Sequence, residues 1–144
     1  MKVNFDGVVF GEEQEGGIGV VIRSNEGQVL ATLSEKVPMP TSVETLEMLA
    51  ARRATIFARE PGFCKVCFEG DADREGLKCG GWALSKRLHV YRGYFQSYSI
   101  IHVRRQGNYV AHALARDARF FFPLRVWGEV VPPNIFNYVV KDLL

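Results

Sequence analysis

The chain begins with KVNFDGVVF, alternating and then continuously apolar, the pattern of a buried strand closed by the acidic, glycine-rich EEQEGG. GIGVVIRS and QVLATLSEKV follow, separated by Asn25, Glu26 and Gly27, and the three runs predict an antiparallel meander. Pro38 and Pro40 break the sheet. Thr41 and Glu44, three residues apart, read as a capping box for a helix reaching about Arg59, with Val43, Leu46, Ala50, Ala54 and Phe57 as its buried stripe. After Pro61-Gly62, FCKVCFEG reads as a short apolar strand ending at Asp71, interior and parallel to an earlier one. WALSKRLHVYRGYF reads as a basic helix, SYSIIHVRR as a fifth strand and QGN as a tight link. NYVAHALARDAR then reads as a helix with its stripe at Val110, Ala111, Leu114, Ala115 and Ala118.

This order predicts an α/β fold. Its five-stranded mixed sheet has three antiparallel strands, then two parallel ones, with helices on both faces. The length of 144 residues, 47% of them hydrophobic and 24% charged, supports one core. The expectation is a single domain over 1–144, with its core in about 1–120 and a tail at 121–144 holding a short amphipathic helix. No apolar run reaches the ~18 residues of a membrane span. MKVNFDG reads as a strand rather than a signal peptide, and three cysteines suit a reducing compartment, so a soluble intracellular monomer is expected, in nucleus, cytoplasm or organelle alike.

The net charge of +2 is uninformative until it is divided. Residues 1–60 carry six Lys/Arg against nine Asp/Glu, a net of −3, whereas residues 76–119 carry eight basic residues against Asp117 alone, a net of +7. A basic stretch joined to an acidic half fits a protein that grips a phosphodiester beside a carboxylate cluster; solvated helix faces are the alternative.

Three carboxylates stand out. Asp6 falls inside an apolar strand, where ionisation is costly unless a metal or a basic side chain pairs with it. Glu47 projects within the buried stripe of its helix, and a glutamate aimed at the sheet needs a cation. Asp71 closes a strand, at the edge of an open α/β sheet where ligands gather; capping the next segment would also explain it. Three hard oxygen ligands with a basic rim suit Mg²⁺ acting on a phosphate ester.

KVNFDG, GGIGVVIRSNEGQVLA, SVETLEMLAARRA, FEGD and HVRRQGNYVAHALARDA, in this order and at these separations, resemble the ribonuclease H type I fold. They most resemble plant ribonuclease H-like domains related to retroelement reverse transcriptases, a set that shares the VWGEVVPP tail. The resemblance implies an endonuclease cutting the RNA strand of RNA·DNA hybrids with Mg²⁺ or Mn²⁺, through a two-metal mechanism. Asp6, Glu47 and Asp71 match three of the family's four acidic ligands, and His112 stands where the fourth acid would be. An imidazole there either coordinates metal or orients water, or is a hydrogen-bonding histidine with no catalytic part. For the substrate, Lys86, Arg87 and Arg92 are expected to grip the DNA strand, and Arg104, Arg105 and Asn108 to contact phosphate near the cut. The alternative is a ribonuclease H-like module that binds nucleic acid without cutting it.

Other signals carry less. Cys64 and Cys67 form a C-x-x-C, but on a strand their side chains diverge and no second pair completes a zinc site. Gly17-Ile18-Gly19 lacks the rest of a phosphate-loop or dinucleotide fingerprint and reads as a flexible strand entry. Trp82, Tyr91 and Tyr94 suit either stacking on nucleic acid or burial in their own helix.

Overall fold

The first three runs, each buried continuously through part of its length, form a meander: β1 (Lys2–Phe10), β2 (Glu15–Arg23) and β3 (Val29–Pro38), each antiparallel to the next. The structure, a computed structural model, describes residues 1–70, 93–120, 123–129 and 131–143. Helix α1 (Val43–Arg59) follows, then β4 (Lys65–Gly70) and β5 (Ser97–His102), both parallel to β1. A 3-10 turn, Arg105–Asn108, leads into α2 (Tyr109–Asp117); β6 (Leu124–Gly128) and α3 (Phe136–Leu143) complete the described elements. No described helix is long and apolar enough to cross a membrane.

The sheet order is β5-β4-β1-β2-β3-β6. It therefore has six strands rather than five. The sixth lies in the stretch read as a tail, where Leu124 to Gly128 pair antiparallel with Glu35 to Ala31 of β3. A five-residue strand with exposed Leu124 and Val126 has little of the alternation that reveals strands in sequence. The basic helix expected within WALSKRLHVYRGYF lies outside the described residues, apart from its last three positions, Gly93 to Phe95.

Helix α1 begins one residue later than the Thr41 reading requires. Ser42 is the cap: its Oγ accepts the Thr45 backbone N–H at 3.1 Å, which leaves Val43 63% exposed instead of in the buried stripe. Leu46, Ala50, Ala51, Ala54, Phe57 and Ala58 form the face that packs against Val3, Phe5, Ile18, Val20 and Phe68. On the opposite face, α2 buries Val110, Ala111 and Leu114 with Val21 of β2 and with Ile135 and Val139 from the C-terminal region.

Gly17 and Gly19 do more than open a strand. They lie on one face of β2, and a Cβ on Gly19 would overlap the Ala111 carbonyl oxygen and the Ala115 nitrogen of α2, while one on Gly17 would overlap the Ala115 carbonyl oxygen. Glycine at both positions lets a helix backbone rest directly on a strand. Ser34 of β3 ties the same helix down by donating from Oγ to the Leu114 carbonyl at 2.7 Å. Because the obstructing atoms are backbone, Gly19→Ala should destabilise the protein by about 3 kcal/mol, lowering the melting temperature by on the order of 10 °C. Gly11→Ala, which meets nothing within 4 Å, should melt as wild type. Equal melting of all three proteins would contradict this seating of α2.

Candidate active site

Strand alternation decides where Asp6 points. Its neighbour Phe5 packs in the core shared with α1, and Gly7 lies beneath Leu46 of α1, so Asp6 and Asn4 face the α2 side. Asp6 is only 4% exposed. Its partner across the β1–β2 ladder is Gly19, on which the α2 backbone rests at Ala111. The next residue along the helix, His112, is thereby brought onto the carboxylate, with Nδ1 2.7 Å from Asp6 Oδ2. The other oxygen, Oδ1, accepts the Gly7 N–H at 2.9 Å. A carboxylate oxygen accepts, so Nδ1 is the donor and Nε2 is left as the imidazole's second nitrogen. His112 retains 25% of its side-chain exposure. Asp6 is thus buried but partnered, at the inner end of a site that solvent reaches from the histidine side.

A second set of hydrogen bonds holds this pair in place. Asn108, at the start of α2, donates from Nδ2 to the Phe5 carbonyl at 2.9 Å. Asn4 Nδ2 has the Glu69 carboxylate at 3.0 Å and Asn108 Oδ1 at 3.2 Å as acceptors. Both asparagines are buried, and together they tie the α2 N-terminus and β4 to β1 on either side of Asp6. Asn108, expected from sequence at a phosphate, has no exposed surface here, and both ends of its side chain are engaged inside the protein, where it ties the start of α2 to β1. Asn4 was not singled out from sequence, although its place two residues before Asp6, on the same strand face, was the available signal.

The remaining candidates are distributed as follows. Glu47 is half-buried on α1, with Oε2 closed off from solvent. Its neighbour Leu46 packs over Gly7 of β1 and Gly16 of β2. Asp71 lies outside the described residues. The β1–β4 ladder runs as far as Phe5–Gly70, the residues that immediately precede Asp6 and Asp71 in the chain. Lys86, Arg87 and Arg92 also lie outside the described residues. Arg104 and Arg105 are exposed on the approach to α2. Tyr94 has one ring face covered by Arg59, whose guanidinium sits 3.7 Å from the ring centroid. Cys64 and Cys67 are free thiols.

The oxygen donors of Asp6 and Glu47 are of the kind a hard divalent cation takes, whereas the imidazole of His112 is not one that Mg²⁺ favours. Among the described residues, no three His, Cys, Asp or Glu side chains are grouped to hold a metal ion. A carboxylate shell therefore depends on Asp71.

Comparison with known proteins gives the same class. A family profile described as reverse transcriptase-like matches residues 4–74. The ribonuclease H1 of the halophilic archaeon Halobacterium salinarum superposes with a TM-score of 0.70 at 25% identity, over 83% of this chain and 96% of that one. The N-terminal ribonuclease H domain of a Mycobacterium tuberculosis protein gives 0.65 at 20% identity, over 81% and 92%. A ribonuclease H1 isolated from compost, solved in complex with an RNA/DNA hybrid, gives 0.66 at 19% identity, over 81% and 94%. No curated protein sequence matches significantly. The chain has a ribonuclease H-like fold. Within that class its N-terminal half carries the reverse transcriptase-like signature, and the plant set remains a resemblance of sequence.

Proposed function

We propose that this domain is a metal-dependent endonuclease that hydrolyses the RNA strand of RNA·DNA hybrids, with Asp6, Glu47 and Asp71 as the residues that would hold Mg²⁺ or Mn²⁺. The observation that carries the proposal is the placement of Asp6: a buried carboxylate at the centre of β1, on the face met by the helix that follows the last parallel strand. A strand-centre carboxylate is retained at the cost of desolvation, and the fold matches ribonuclease H1 enzymes, one of them solved with a hybrid. When bound, the divalent cations would supply an activated water and charge stabilisation at the leaving oxygen. The protein's own part is to hold Asp6 rigidly through Gly7, His112 and the asparagine pair, and to present Arg104 and Arg105 to the phosphates flanking the cut.

His112 is a positioning residue in this reading. In place of a fourth carboxylate it donates to Asp6, which stabilises the buried charge when no metal is present. That same bond favours a second reading, a module that binds hybrid but cuts it weakly, because an Asp6 oxygen already engaged by His112 would be less available to a divalent cation.

The test is a cleavage and binding assay on labelled RNA·DNA hybrid, all-RNA duplex and all-DNA duplex. Cutting confined to the RNA strand of the hybrid supports the nuclease; hybrid binding without cutting in Mg²⁺ or Mn²⁺ supports the module. Absence of both at low salt would sink the two readings together.

A further inference from the structure

We propose that a groove between the end of β1, α2 and α3, adjacent in the fold to the Asp6–His112 pair, is a second nucleic-acid subsite, which holds the sugar-phosphate backbone of the strand engaged at Asp6. The proposal rests on the nucleic-acid reading above and deepens it. The groove has a volume of about 350 Å³, and Val8, Ala113, Arg116, Arg119 and Tyr138 are among the residues lining it.

Its position follows from two periodicities. Val8 is two residues beyond Asp6 and so on the same face of β1, and Arg116 is four residues beyond His112 and so on the same face of α2. Val8 and Ala113, two residues beyond Asp6 and one beyond His112, are the lining residues nearest the pair in sequence. Four helical residues advance about 6 Å, less than two nucleotide steps of ~3.4 Å along a duplex strand. A strand lying over Asp6 reaches Arg116 within its next two phosphates.

The charges in the groove are suited to a polyanion. Arg116 is exposed and has no ion-pair partner among the described residues. Arg119 holds its guanidinium 4.7 Å from the Phe10 ring centroid and 3.4 Å from Glu13, so it is fixed at the groove wall without being buried. Asp117, the acid nearest in sequence, accepts a hydrogen bond from Asn134. Phe120, 76% exposed, and the half-buried Tyr138 add ring faces for sugars or bases. An arginine with no ion-pair partner among the described residues, a second held against Phe10 and Glu13, and exposed aromatic surface are the elements of a backbone-binding track.

The experiment measures hybrid binding by fluorescence anisotropy across a salt series for wild type, Arg116→Ala, Arg116→Lys and the control Arg52→Ala, whose side chain is exposed on α1. Arg116→Ala should weaken binding roughly 5-fold near 0.1 M salt and lower the salt slope by about 1. Arg116→Lys should recover most of the loss, and Arg52→Ala should match wild type. Melting curves for the variants should superpose on wild type, since Arg116 is exposed and has no ion-pair partner among the described residues. If wild type binds hybrid while Arg116→Ala keeps the same affinity and slope, the groove proposal falls and the nucleic-acid reading stands. If wild type binds no hybrid at low salt, both fall.

Discussion

Asp6→Asn should reduce hybrid cleavage by on the order of 10³-fold while leaving the fold and hybrid binding intact. The substitution keeps the shape of the side chain and one oxygen able to accept from His112, but removes the negative charge that a divalent cation requires. A 10³-fold loss corresponds to about 4 kcal/mol of transition-state stabilisation, the scale seen when one electrostatic group is removed from an active site. Stability should change by no more than about 1 to 2 kcal/mol, since relief of the buried charge offsets the loss of one of the two acceptors that Asp6 offers to the Gly7 N–H and to His112. Calorimetry or thermal denaturation provides a readout independent of activity: a saturating divalent ion should raise the melting temperature of wild type by on the order of 5 °C and that of Asp6→Asn far less. Equal metal-induced shifts in the two proteins would place the metal elsewhere.

His112→Asp tests the other half of the pair, and its expected effects have opposite signs with and without metal. In chelator, the variant sets a second carboxylate against the buried Asp6 and removes a 2.7 Å hydrogen bond. Like-charge repulsion and lost pairing at a site open on one side should cost about 2 to 4 kcal/mol, a fall in melting temperature of roughly 5 to 15 °C. With Mg²⁺ present, the same carboxylate becomes a hard oxygen donor where the wild type offers nitrogen. Stability should then recover, and Mg²⁺-supported cleavage should exceed wild type by about tenfold, with a smaller advantage for Mn²⁺ over Mg²⁺. Unchanged melting in chelator would show that residue 112 does not face Asp6. A loss of cleavage in Mg²⁺ would show that the imidazole itself is needed.

Much of this arrangement was legible in the sequence because it rests on local periodicity. The meander, α1, the two parallel strands and the α2 stripe from Val110 to Ala118 all follow from alternation or from 3.6-residue spacing, and the structure agrees with them. The placement of Asp6 inside β1 was equally plain, since a charge in an apolar strand is conspicuous. What escaped the sequence depends on contacts between segments far apart in the chain. The roles of Gly17 and Gly19 emerge only when α2, about ninety residues later, is laid on β2; read locally, they are glycines at the start of a strand. Asn108 was expected at a phosphate beside Arg104 and Arg105, and its partners Asn4 and Phe5 of the first strand could not be read locally. The choice of Ser42 over Thr41 as the α1 cap turned on one residue of helix phase, and it moved Val43 from the core to solvent. Strand β6 has no strong pattern of its own and is recruited by the open edge of β3.

The central claim is that Asp6 and its neighbours form a centre for metal-dependent hydrolysis of RNA paired to DNA. The most direct measurement is a divalent-metal titration of wild-type cleavage on an end-labelled RNA·DNA hybrid, with the product ends identified. The expected result is no cutting in chelator, saturable cutting in Mn²⁺ and weaker cutting in Mg²⁺, with 3′-hydroxyl and 5′-phosphate ends on the RNA fragments. Full activity in chelator, or intact RNA at every concentration of both metals while the hybrid is bound, would contradict it.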